Sequence, residues 1–131
     1  MRSSLLSFAV VSLSLLSACG APKAGDKCDT SGFLCESAAS AMECKLGVWV
    51  SLPCKGPGGC VRQDKVVKCD MSGNMAGDAC ASSAAGKGLC AADGLSTLEC
   101  REEAMSGNLV LTKTNTCRTC SIVGEQVVCQ P

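Results

Sequence analysis

Cysteine dominates the chemistry this chain can do: 13 of its 131 residues carry sulfur of that kind, and there is no histidine. A thiolate can be a nucleophile, a metal ligand or half of a disulfide, and spacing and neighbours decide among these roles. Without an imidazole, Ser-His-Asp and Cys-His hydrolysis and histidine-ligated zinc are excluded. Cys117-Arg-Thr-Cys120 has the C-x-x-C spacing of a redox dithiol or of half a zinc site. No strand-to-helix pattern surrounds it and no second C-x-x-C accompanies it, so both sulfurs read as structural. Glu102-Glu103 is the only adjacent pair of acids, and adjacent acids on an exposed loop are ordinarily just solvated. With neither an acid–base pair nor an activated nucleophile to name, the sequence predicts a protein that is not an enzyme. It predicts no catalytic residue, no metal and no cofactor.

The first cysteine stands apart from the rest. Met1-Arg-Ser-Ser places one positive charge ahead of an apolar run, Leu5 to Leu16, softened only by serines. That length suits a signal-peptide core and is too short for a permanent membrane span. The run ends Leu16-Ser17-Ala18-Cys19, which resembles the bacterial lipobox. The resemblance implies that residues 1–18 are removed, that the Cys19 sulfur carries diacylglycerol and that the new amine is acylated. Each buried methylene contributes about 0.8 kcal/mol, and stable anchoring takes more than one chain. The competing reading is an ordinary secretory signal that Cys19 merely follows. Gly20 is not aspartate, and by the same resemblance this points to the outer membrane, leaving open whether the protein faces the periplasm or the exterior. Residues 19–24 are then a lipidated terminus and short tether.

The remaining cysteines are Cys28, Cys35, Cys44, Cys54, Cys60, Cys69, Cys80, Cys90, Cys100, Cys117, Cys120 and Cys129, an even number in an exported chain. They fall into two sixes with repeating surroundings. Gly25-Asp26-Lys27-Cys28 matches Gly77-Asp78-Ala79-Cys80, Leu34-Cys35 matches Leu89-Cys90, and Glu43-Cys44-Lys45 matches Glu99-Cys100-Arg101. Gly47-Val48-Trp49-Val50 is matched with Gly107-Asn108-Leu109-Val110 after a four-residue insertion. The expected organisation is an internal duplication: a first module at 25–70, a small polar linker at 71–76 and a second module at 77–131.

Modules of about fifty residues with so few large apolar side chains barely offset the entropy of ordering. About three disulfides each would make up the difference, restricting the unfolded chain by roughly 3 kcal/mol for a 15-residue loop. Six cysteines allow fifteen pairings, and the sequence does not choose among them. The expected fold is small, disulfide-rich and mainly β. Val48 to Leu52 and Leu109 to Thr114 read as strands. Val61 to Val67 reads as a hairpin turning near Gln63-Asp64, and Ile122 to Val128 as one bending at Gly124-Glu125. Ser37 to Glu43 reads as a loop leading into a strand.

From Cys44-Lys-Leu-Gly-Val-Trp49 through Cys54, Cys60 and Val67-Lys-Cys69-Asp70, the first module resembles the chitin-binding modules of carbohydrate-binding family 19. That likeness implies sugar stacking on exposed aromatic faces, for which the mature chain offers only Trp49 and Phe33. Trp49 is read first as a half-buried ring packed on a disulfide and second as a stacking platform. Phe33 is divided evenly between core and ligand contact. The second module departs from the pattern, with Leu109 placed opposite Trp49.

In general character the chain is similar to cysteine-rich lipoproteins of myxobacteria, some of which serve surface adhesion or gliding motility. The expected function is thus a lipid-anchored, non-enzymatic module that binds other envelope proteins. The alternatives are binding to a chitin- or peptidoglycan-like polysaccharide, and inhibition of an envelope hydrolase through the Cys54–Cys60 loop. Twelve basic and twelve acidic residues cancel, which excludes an electrostatic footprint for nucleic acid.

Overall fold

A computed structural model describes residues 20–131; the signal-peptide reading and Cys19 itself lie outside the described residues. In the first half, β1 (Phe33–Ser37), β2 (Ser40–Lys45) and β3 (Val48–Pro53) form an antiparallel sheet in chain order, followed by a hairpin of β4 (Cys60–Gln63) and β5 (Val66–Cys69). The second half repeats the plan. β6 (Gly88–Cys90), β7 (Ser96–Glu102) and β8 (Leu109–Thr116) make the sheet, and β9 (Thr119–Val123) and β10 (Gln126–Gln130) make the hairpin. Apart from one 3₁₀ turn at Ser82–Ala84, the described residues hold no helix, so the fold is the small, disulfide-rich, mainly-β one expected.

The bridges repeat as well. Cys28–Cys44, Cys35–Cys60 and Cys54–Cys69 are matched by Cys80–Cys100, Cys90–Cys120 and Cys117–Cys129. In each half the first cysteine joins the third, the second the fifth and the fourth the sixth. The first bridge ties the incoming arm to the middle strand, the second ties the sheet's outer strand to the hairpin, and the third ties the chain leaving the sheet to the hairpin's return strand. Two of the three bridges in each half run to the hairpin, adding covalent ties to what packing supplies between sheet and hairpin.

Hydrogen-bond register shows which residues are equivalent. In the first half the Gly25 amide donates to the Trp49 carbonyl at 2.8 Å, and the Trp49 amide donates to the Asp26 carbonyl at 2.9 Å. In the second half the Gly77 amide donates to the Leu111 carbonyl at 2.8 Å, and the Leu111 amide to the Asp78 carbonyl at 2.8 Å. Trp49 stands opposite Cys44, and Leu111 opposite Cys100. The partner of Trp49 is therefore Leu111 and not Leu109, which corrects the match made from the Gly-x-x pattern. Trp49 follows Cys44 by five residues and Leu111 follows Cys100 by eleven, so the insertion is six residues, not four. Backbone pairing decides equivalence here, and Gly47 and Gly107 share only a residue type.

The stretch expected as a loop leading into β2 is mostly strand already. Ser37 pairs with Ser40, leaving only Ala38-Ala39 as a turn. Ala and Ser have weak strand preference, but Ala41, Met42 and Glu43 are buried between β1 and β3, and packing outweighs propensity. The β4–β5 turn likewise falls one residue later than expected, on Asp64-Lys65.

The two halves are joined by a fastened segment. Asn74, fully buried, donates through Nδ2 to the Pro53 carbonyl at 2.8 Å and accepts the Lys55 amide on Oδ1 at 3.0 Å. Gly73 lies so close to Lys55 that a Cβ there would come within 2.3 Å of its carbonyl oxygen. Further on, the Ser82 amide donates to the buried Glu43 carboxylate at 3.0 Å. Lys45 Nζ donates to the Cys80 carbonyl at 3.1 Å, and Lys55 pairs with Asp78 at 2.8 Å. The sequence 71–76, read as a linker for its small polar residues, is thus held by specific bonds on both sides.

Candidate functional site

Because side chains alternate across a strand, register assigns each candidate residue to a face of the first sheet. Phe33 pairs with Glu43 and Trp49 pairs with Cys44, so the two aromatic rings stand on opposite faces. Trp49 is half-buried, on the face that carries Cys44 and the fully buried Met42. Its counterpart Leu111 is a fully buried core residue, which fits a packing role for this position. Phe33 is 38% exposed and lines a seam between the halves together with Leu52, Val67, Met71, Ala79 and Ala81. The seam encloses a mostly apolar cavity of about 200 Å³. Two rings on opposite faces offer no shared platform for a sugar chain.

The C-x-x-C does not close on itself. Cys117 is bonded to Cys129 and Cys120 to Cys90, so neither sulfur is free for exchange or for metal. Among the described residues no cluster of three or more cysteines and acids is placed to hold a metal ion. Glu102 and Glu103 are exposed at the end of β7, where the Glu103 carboxylate accepts the Ser106 hydroxyl at 2.6 Å.

The Cys54–Cys60 loop does not project. The Gly56 amide donates to the Asp70 carbonyl at 2.9 Å and the Gly58 amide to the Asp70 carboxylate at 2.9 Å. A Cβ on Gly56 would run into that carboxylate, so a larger residue there would displace Asp70 from these bonds. The Ser72 hydroxyl and amide and the Gly58 amide hold the Asp70 carboxyl below its ordinary pKa. On the first sheet, the hydroxyls of Ser40 and Ser51 do the same for Glu36. Burial would raise the Asp78 pKa, but hydrogen bonds from Lys55 and the Met75 amide, with the Lys55 charge, bring it below the usual value.

The most prominent surface features are two hairpin tips that the sequence reading did not single out. Leu46-Gly47 joins β2 to β3, with both residues left-handed at φ 49° and 80°. That is the two-residue turn in which asparagine, aspartate and glycine are most at ease, yet Leu46 occupies it at 105% relative exposure. On the longer β7–β8 loop of the second half, Met105 is 97% exposed. The signal available in the sequence was a leucine directly before the glycine of a strand–turn–strand pattern. No helix among the described residues is long and apolar enough to cross a membrane. No known protein family, no curated protein sequence and no solved structure matches this chain.

Proposed function

We propose that the chain is a non-enzymatic, lipid-anchored protein of the bacterial outer membrane that works as an interaction module for other envelope proteins, in a surface-adhesion or gliding-motility complex. The observation that carries this reading is the pairing of all twelve cysteines after Cys19, in the same order twice. Such pairing persists in an oxidising compartment and holds surface loops still before a partner arrives, which lowers the entropy cost of binding. Cys19 supplies the attachment, through diacylglycerol on sulfur and an acyl group on nitrogen. A polysaccharide-binding role draws less support, because Trp49 and Phe33 face apart. The hydrolase-inhibitor role is weakened by a Cys54–Cys60 loop folded back on Asp70.

The test is co-purification from intact envelope with a tagged full-length chain, alongside Cys19→Ser. The expected result is an acylated wild type that brings down a defined envelope protein, and a Cys19→Ser form that loses both acylation and that partner. Retention of the wild type on insoluble chitin or peptidoglycan, abolished by Trp49→Ala, with no protein partner recovered, would overturn it.

A further inference from the structure

We propose that the tip of the β2–β3 hairpin, with Leu46 at its apex, seats in the lipid surface to which the chain is anchored. Leu46 combines a backbone conformation that disfavours leucine with complete exposure, and no fold contact accounts for either. One register below it, Val48 is 40% exposed and is paired with Lys45 on one side and Lys27 on the other. Lys45 is turned into the fold, bonded to the Cys80 carbonyl at 3.1 Å and paired with Glu43 at 3.3 Å, while Lys27 is exposed. An apolar apex above one free lysine stem suits the boundary between acyl chains and head groups, where the stem lies along apolar surface and the ammonium group reaches water. Asp29 follows Cys28, whose amide is bonded to the Gly47 carbonyl, so the local charge is small and the apolar apex supplies the attraction.

A lipid surface is favoured over a protein pocket by the shape of the tip and by where the chain leads. A single side chain on a two-residue turn presents no flat patch to a protein, whereas a fluid interface needs no matching shape. The arm from Gly25 to Cys28 runs along β3 toward the tip, bonded to Trp49 and Gly47. Five residues separate Gly25 from Cys19, and the six peptide units that join them span at most about 20 Å, so an acylated Cys19 keeps this hairpin within reach of the bilayer. The inference rests on that acylation. Met105 is as exposed, but it follows Glu102 and Glu103, whose carboxylates oppose insertion, and it serves as the internal control.

The experiment uses the full, membrane-processed protein reconstituted in vesicles of phosphatidylethanolamine and phosphatidylglycerol, some bearing brominated acyl chains. Trp49, three residues from the apex, is the only tryptophan and reports proximity to bromine through quenching of its fluorescence. The expected result is marked quenching in the wild type and in Met105→Asn, and loss of most of it in Leu46→Asn. Asparagine tolerates the left-handed turn, so this variant folds. Equal quenching in wild type and Leu46→Asn, with acylation verified by intact mass, would overturn the seating while leaving the anchor standing. An intact mass without acyl chains would overturn both. Loss of an envelope-protein crosslink in Leu46→Asn with quenching unchanged would assign the tip to a protein and overturn the lipid assignment.

Discussion

The two halves share strand order and bridge pattern, yet they place their apolar cores differently. In the first, Ala41, Leu52, Cys54 and Cys60 cluster between the sheet and the β4–β5 hairpin, joined by Val67 and, from across the seam, Ala79 and Ala81. The corresponding layer of the second half is polar. Thr97 pairs with Asn115 where Ala41 pairs with Leu52, and the Thr97 and Thr114 hydroxyls share a hydrogen bond at 2.7 Å. Its own core, Cys80, Leu98, Cys100 and Leu111, gathers around the first disulfide, on the face where the first half buries Met42. A covalent framework thus fixes topology while leaving the second apolar layer dispensable. In a module this small, three bridges are enough to carry a fold that has given up one of its two apolar layers.

That contrast predicts unequal costs for equivalent disulfides. Cys54–Cys69 and Cys117–Cys129 close loops of 15 and 12 residues, so the entropy each removes from the unfolded chain is nearly the same, about 3 kcal/mol. Cys54 and Cys117 are both buried and Cys69 and Cys129 both half-buried, but Cys54 and Cys69 belong to the apolar cluster of the first half, whereas neither Cys117 nor Cys129 belongs to that of the second. Replacing both cysteines of the first pair by serine is expected to cost about 4–5 kcal/mol in urea unfolding, since two hydroxyls then enter an apolar site. The second pair is expected to cost about 2–3 kcal/mol. Equal losses would mean that the bridges act through the unfolded chain alone.

The hairpin tips sharpen the comparison at smaller scale. Leu46→Asn is expected to raise stability by about 1 kcal/mol, because it relieves a left-handed leucine without removing buried area. Met105→Asn, on a loop where Met105 has ordinary backbone, is expected to change thermal unfolding by less than about 0.5 kcal/mol.

The smallest effect is local. Asp70 in the first half is replaced by Gln130 in the second. The Asp70 pKa is lowered in the folded protein, so its contribution is present above the unfolded carboxylate range and is lost as pH falls through the lower folded value. Amide exchange at Gly58 and Ser72 is therefore expected to accelerate in acid, with no matching change around Gln130, and to be fast at neutral pH in Asp70→Ala. Exchange rates that stay flat with pH would show that the glycine-rich loop holds itself.

Much of this architecture is legible in the residues. The cysteine count, the duplicated Gly-Asp-x-Cys starts and the β-rich runs ending near Pro53 and Thr114 lead directly to paired, bridged, mainly-β modules. What could not be read is mostly a matter of pairing. β2 is built of Ser, Ala, Met and Glu, whose strand state comes from neighbours distant in sequence. The equivalence of Trp49 and Leu111 depends on the arm's hydrogen bonds, which no spacing announces. The opposite facing of Phe33 and Trp49 follows from register alone, and a one-residue change would have put them together.

The six extra residues between β7 and β8 enter at a point where the strands on either side keep their partners and the arm keeps its bonds. This corner of the scaffold accepts cargo. Foreign peptides, reporter epitopes or binding loops grafted between Glu102 and Leu109 should leave the oxidised frame intact, making the duplicated unit a small presentation platform whose second corner has already been lengthened once.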